Sequence, residues 1–179
     1  EVRFRGGAGW ASPLLADGYD GLANLGWDDS NPWIQRQMQA CRDFLPHAQG
    51  HFAAVETETI DALNFAENLR GNNAYTDIYE HPTELKRLMD FACEFNTRLI
   101  EAQREILAPC QCYEEGVFFP HQVWLPGRPV WLSVDAYALC SPRTFLEFGL
   151  PWLQRIMDHF GSGWLHVHSA GIYLLPVLA

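Results

Sequence analysis

Positive charge is scarce in this chain. Twelve Lys and Arg stand against 22 Asp and Glu, leaving a formal net charge of −10 at pH 7. So acidic a surface does not track a phosphate backbone or adhere to anionic lipid, which excludes nucleic-acid binding and peripheral membrane attachment. Long apolar runs are missing too, since none approaches the ~20 residues of a membrane span. No secretory-signal pattern stands at the front of the sequence. The cysteines are few and odd in number: Cys41, Cys93, Cys110, Cys112 and Cys140. Their spacing builds no disulfide framework, which predicts a reducing, cytoplasmic setting. Cys110 and Cys112 make C-x-C, not the C-x-x-C of a zinc ribbon. No G-x-G-x-x-G or Walker pattern follows any apolar run, so nucleotide-binding versions of an α/β fold lose support. Internal repeats, low-complexity tracts and charge blocks are likewise lacking.

What is present is apolar and aromatic. Hydrophobic residues make up 48% of the 179, with 7 Trp and 11 Phe. That length and content predict one domain with a real core. Residues 1–30 are rich in Gly, Asp and Asn, and "RGGAG" and "WDDSNP" are breaker clusters, so this N-terminal segment reads as irregular with at most one short helix. "NPWIQRQMQACRDFL", 31–45, reads as a helix with Asn31 as cap and Pro32 in its first turn. "HFAAVET", 51–57, reads as a short buried strand. A helix closed by Gly71 follows, then a helical turn over "AYTDIYEH". The clearest element is a helix of about 25 residues opened by Pro82, with Leu85, Leu88, Met89, Ala92, Phe95, Leu99 and Ile106 along one stripe.

"CQCYEEGVFF", 110–119, and "VWLSVDAY", 130–137, read as strands separated by an "LPGRP" turn. Ser141 and Pro142 open a helix that Pro151 should kink or break. "GWLHVHSAG" supplies the last strand, and "GIYLLPVLA" begins a further helix or turn. Strands alternating with helices predict an α/β fold with a parallel sheet, either doubly wound or a (β/α) barrel.

The chemistry sits toward strand ends. Side chains alternate across a strand. Trp164, His166 and His168 therefore share one face, with Leu165 and Val167 on the other. By the same count Trp131, Ser133, Asp135 and Tyr137 share a face. Glu114 and Glu115 sit at the end of a third strand. Imidazoles and carboxylates converging on one mouth suit general acid–base chemistry or a metal. The plain alternative is two core histidines, a turn-forming Asp and a solvated Glu pair. His-x-His on a strand is a zinc-ligand spacing that still needs further ligands, for which Cys112 and Glu114 are candidates. On this reading Asp135, Tyr137, His166 and His168 are the candidate catalytic residues, and His166, His168, Glu114 and Cys112 the candidate metal ligands.

"VWLSVDAYALCSPRTFLEFGLPWLQRIMDHFGSGWLHVHSAG" resembles the uroporphyrinogen decarboxylase superfamily. The likeness lies in a strand ending in an acidic residue and an aromatic, Asp135 and Tyr137. A helix of the form SP-x-x-F-x-x-F-x-x-P-[YW]-x-x-x-I follows, here Ser141, Pro142, Phe145, Phe148, Pro151, Trp152 and Ile156. Next comes a strand ending in a histidine motif before glycine, here His166, Val167, His168, Ser169 and Gly171. Upstream, "LRGNNAYTDIYEHPTELKRLMDFACEF" is similar to the family's Arg-Gly turn and Pro-opened helix. The resemblance runs from about residue 31 to the end.

The resemblance implies a (β/α)8 TIM-type barrel. Such barrels need about 250 residues, so the chain would hold about half of one, as a single partial barrel domain over 1–179. It would be completed by a missing half or by homo-oligomerisation. The resemblance also implies an enzyme acting on a small molecule, the alternative being an inactive or incomplete barrel fragment that serves as a binding module. Decarboxylase members are lyases of porphyrin biosynthesis that act on a tetrapyrrole without a cofactor. Methyltransferase members use zinc, with a corrinoid partner as methyl donor and a thiol as acceptor. This sequence departs from both patterns. "EVRFRGG" is a poor match to the decarboxylases' Arg-rich motif, and Ala136 stands where their "DSWAG" segment has Ser. His168 stands where the methyltransferases' His-x-Cys has Cys.

Overall fold

A computed structural model of the chain describes residues 2–5, 8–111, 113 and 115–178, with side chains described from residue 11 onward except at His121. In chain order the elements are β1 (Val2–Arg5), β2 (Ala8–Ala11), α1 (Pro32–Ala48), β3 (Thr59–Ile60), α2 (Ala62–Arg70), α3 (Asn73–Glu80) and α4 (Pro82–Leu107). They continue with β4 (Gly116–Phe119), β5 (Val123–Pro126), β6 (Val130–Ser133), α5 (Pro142–Phe148), α6 (Leu150–Phe160), β7 (Gly163–His166) and α7 (Leu175–Leu178). The architecture is mixed α/β. No helix among the described residues is long and apolar enough to cross a membrane.

Helix boundaries follow from local chemistry. The Asn31 side chain accepts from the Trp33 N–H and Pro32 occupies the first helical position of α1. Ser141 does the same for α5, accepting from Thr144 N–H at 3.1 Å. Pro151 has no N–H to give the turn before it, so the helix breaks at Gly149, and α6 begins afresh with Pro151 in its first turn. Gly161 ends α6 at φ 87°, a left-handed conformation that costs glycine little.

β3, β6 and β7 form one parallel sheet with β6 in the centre. Thr59 pairs with Leu132 and Ile60 with Ser133. Across the other edge of β6, Trp131 pairs with Trp164 and Ser133 with His166. Val130, Leu132 and Val134 point to the helices, where they join Leu63, Leu88, Ile100, Phe145 and Ile156 in the main core. Leu165 and Val167 pack against the same core. On the opposite face Trp131 and Trp164 stack at 5.3 Å between centroids. They are covered in part by Val117 and Phe119 of the antiparallel β4–β5 hairpin.

Several expectations need correction. Residues 51–57 are not a strand. The Thr57 N–H and hydroxyl both donate to the side-chain oxygen of Gln103 on α4, so this backbone is satisfied outside the ladder, and pairing starts only at Thr59. The N-terminal segment is not wholly irregular, because β1 and β2 form an antiparallel hairpin. The 110–119 strand begins only at Gly116. "LPGRP" is not all turn, since Leu125 and Pro126 belong to β5 and the reversal comes at Gly127, φ 77°. The described strands form a three-stranded parallel sheet and two hairpins, with no closed barrel among the described residues.

Two buried ion pairs tie the periphery to this frame. Arg104 of α4 donates to Glu56, and to the carbonyls of Arg128 (3.0 Å) and Pro129 (2.5 Å) just ahead of β6. It thereby fixes the N-terminal end of the central strand. Arg70 grips Asp77 through two hydrogen bonds, at 2.7 and 3.2 Å. The same guanidinium donates to the carbonyls of Leu15 and Ala16, clamping the N-terminal segment onto α2 and α3.

Candidate functional site

The C-terminal ends of β3, β6 and β7 gather the polar side chains. Backbone pairing runs past the formal strand ends. Asp61 N–H donates to the Ser133 carbonyl at 2.9 Å, and Val134 N–H to the His166 carbonyl at 3.0 Å. By that register Asp135 stands level with His168, while Asp61 stands level with the core residue Val134. At the far side His168 is held from behind, its carbonyl accepting from Gly171 N–H at 2.8 Å.

Asp135, His166 and His168 each offer a ligand atom, and these atoms all lie within 4.8 Å of one another. The two imidazoles meet edge to face, 4.7 Å between centroids at 87°. His168 Nε2 stands 3.5 Å from Asp135 Oδ1. The other carboxylate oxygen, Oδ2, accepts a 2.5 Å hydrogen bond from the Ser133 hydroxyl. Oδ1 is itself buried and has no hydrogen bond. The histidines lie on the sheet face away from the helices, while Leu165 and Val167 take the helix side.

Tyr137 does not join them. The strand period ends at Ser133, and Ala136–Leu139 forms a 3-10 turn that swings Tyr137 into the core. There it is 1% exposed, packs edge-on against Phe145 and donates its hydroxyl to the Phe148 carbonyl at 2.8 Å. Burial raises its pKa well above the usual phenol range. It stands in the core, beside Asp61 and not beside the imidazoles. Cys112 and Glu114 lie outside the described residues.

Asp61 was not singled out by the sequence, where it looks like an ordinary cap before "ALNFAENL". It is that cap: its carboxylate accepts from Leu63 N–H at 2.8 Å and Asn64 N–H at 3.0 Å. It is also the carboxyl at the end of β3, buried beside Asp135. Burial first, and the Asp135 charge after it, push its pKa up to about 7 despite the capping hydrogen bonds. The signal that could have found it is an acidic residue following "TETI", an alternating stretch too short to declare itself a strand.

The donor set limits the chemistry. Serine, aspartate and histidine suggest a nucleophile relay, but the Ser133 hydrogen is committed to Asp135 and not to an imidazole, which removes the activation a serine nucleophile needs. Two imidazole nitrogens and one carboxylate oxygen at the C-terminal edge of a parallel sheet are an ordinary set of hard and borderline ligands, three protein groups that leave room for a fourth. Asp135 Oδ1 is the carboxylate oxygen of this set that accepts no hydrogen bond. Asp77, Glu80 and His81 also come together elsewhere. Both Asp77 oxygens there are engaged by Arg70, and Oδ2 by the Tyr19 hydroxyl as well, so that cluster is a structural ion pair. An open groove of about 750 Å³ lined by Arg104, Arg128 and Tyr113 lies at the N-terminal end of the sheet, away from the histidines.

Comparison with protein-family models finds no match, and comparison with curated proteins finds none. The case for function therefore rests on the residues at the strand ends.

Proposed function

We propose that this chain is a partial (β/α)8-type barrel of the uroporphyrinogen decarboxylase superfamily. On this proposal it works as a zinc-dependent methyltransferase, moving a methyl group from a corrinoid to a thiol. The observation that carries the reading is the Asp135–His166–His168 cluster, with one buried carboxylate oxygen that has no hydrogen-bond partner. His166 Nε2 or Nδ1, His168 Nε2 and Asp135 Oδ1 would hold the ion. Bound there, zinc supplies Lewis acidity that stabilises a thiolate near neutral pH. With the ion held by His166, His168 and Asp135, a thiol brought to it would be the methyl acceptor, and the corrinoid would keep the electron pair of the bond it gives up. This chain's own contribution is to hold the acceptor at the strand ends, against His166, His168 and Asp135. Histidine in place of the family's second-position cysteine is tolerable physically, because imidazole is as normal a zinc ligand as thiolate.

The decarboxylase reading has less support. A tetrapyrrole bearing many carboxylates needs cationic partners, whereas the groups gathered here are the Asp135 carboxylate and two imidazoles. Like charges would repel the substrate.

The test is zinc binding by calorimetry on metal-free protein, with His166→Ala and His168→Ala as controls, followed by methyl transfer from methylcobalamin to 2-mercaptoethanol. One zinc per chain, lost in both variants, with transfer only in the zinc-loaded protein, is expected. Unchanged binding in the variants refutes the ligand assignment. Zinc binding without transfer refutes the methyltransferase activity alone.

A further inference from the structure

We infer that Ser133 is a positioning residue for the metal, acting through Asp135; the inference rests on the metal reading above. Asp135 lies two residues beyond Ser133, past the end of β6, and its side chain is 38% exposed. Left to itself, such a carboxylate rotates freely and presents either oxygen to water. Ser133 is different. It is 4% exposed and belongs to the central strand, in register with both Ile60 and His166. Its hydroxyl is therefore a fixed point in the sheet. The 2.5 Å hydrogen bond to Asp135 Oδ2 pins one oxygen. The other, Oδ1, then faces His168 Nε2 at 3.5 Å and accepts no hydrogen bond.

The geometry has a chemical consequence. A carboxylate whose outer oxygen is hydrogen-bonded binds through the inner one, so Asp135 is set to be a monodentate ligand. Partners that orient a ligand in this way typically contribute 10–100-fold in metal affinity.

The experiment uses the whole chain, stripped of metal, with zinc affinity measured by competition against a chromophoric chelator. The variants are Ser133→Ala and Ser133→Thr, with His166→Ala as the ligand control. Loss of about 10–100-fold in Ser133→Ala is expected, with Ser133→Thr restored to within about threefold of the parent because it keeps the hydroxyl. Cobalt substitution gives a second readout, since the visible d–d bands report the ligand set. They should change in Ser133→Ala and return in Ser133→Thr. Far-UV circular dichroism confirms that each variant folds. If Ser133→Ala binds zinc like the parent while His166→Ala does not bind, the positioning role is overturned and the metal reading stands. If Ser133→Thr folds yet is as weak as Ser133→Ala, the hydroxyl is not the cause and the inference fails. If the parent itself binds no zinc, both fall together.

Discussion

Asp61 gives the sharpest check on the electrostatics at the strand ends. Its carboxyl is fully enclosed, and burial with the nearby Asp135 charge lifts its pKa from 3.8 to about 7. In the unfolded chain the group loses its proton near the ordinary carboxylate value. Between roughly pH 4 and 7 the folded state therefore keeps a proton that the unfolded state has released, and stability falls as pH rises through that window. About three pH units at 1.36 kcal/mol each amount to about 4 kcal/mol in all, of which about 3 kcal/mol is lost between pH 5 and 8. Asp61→Asn keeps the shape and the capping oxygen but removes the titration. The Asn64 carboxamide, now donating to Asp61 Oδ2 at 2.9 Å, can turn to offer its oxygen instead. Urea unfolding of metal-free protein, followed by tryptophan fluorescence at about pH 5 and about pH 8, measures the effect. The variant should be the more stable form, and its lead should widen by about 3 kcal/mol between the two conditions. Parallel stabilities at both pH values, or a variant weaker than the parent at the higher one, would refute the placement of Asp61 as a buried, proton-holding carboxyl.

Other outcomes follow from the packing. Glu56→Ala leaves Arg104 buried without its carboxylate and should cost about 3–5 kcal/mol in urea unfolding, while a double replacement of Glu56 and Arg104 by Leu and Met should recover much of it. Phe145→Ala removes a ring that is 0% exposed and packed edge-on to Tyr137, and should cost about 3–5 kcal/mol in the same assay. β3 and β7 form the outer edges of the parallel sheet. Light scattering after size exclusion should therefore give a mass above the 20.4 kDa of one chain, and a stable monomer would remove the expectation of pairing.

Local chemistry was the legible part. Asn31, Ser141, Pro82, Pro142 and Gly71 mark helix ends because caps and proline act within one turn, and the helices stand where those residues put them. β6 and β7 were legible because aliphatic side chains alternate with aromatic and polar ones along each. β3 was not, since two residues carry no period and its identity as a strand comes from Leu132 and Ser133, far along the chain. β5 hid behind Pro126 and Gly127, which look like turn residues and are the end of a strand and its reversal. The same limit explains the site. Counting by twos placed Asp135, His166 and His168 on one face, and the ladder continues far enough to keep them there. Applied one step further it misplaced Tyr137, because the backbone turns after Asp135 and the alternation no longer holds.

The connectivity of the parallel sheet also sets an order of assembly. Thr59 meets Leu132 only after α2, α3 and α4 have been threaded between them. Closing so long a loop costs entropy that a two-residue strand cannot repay by itself. The helices need no ladder partner to form, so the expected order is α2 and α4 first and β3 last. Asn96 of α4, donating to the Ile60 carbonyl at 2.8 Å, is the latch for that docking. Pulse-labelled hydrogen exchange during refolding should show the α4 amides protected before the Asp61 amide. The carboxyl and imidazole ends of the sheet thus meet only at the final step, and a nascent chain released before β6 has emerged holds its helices without its site.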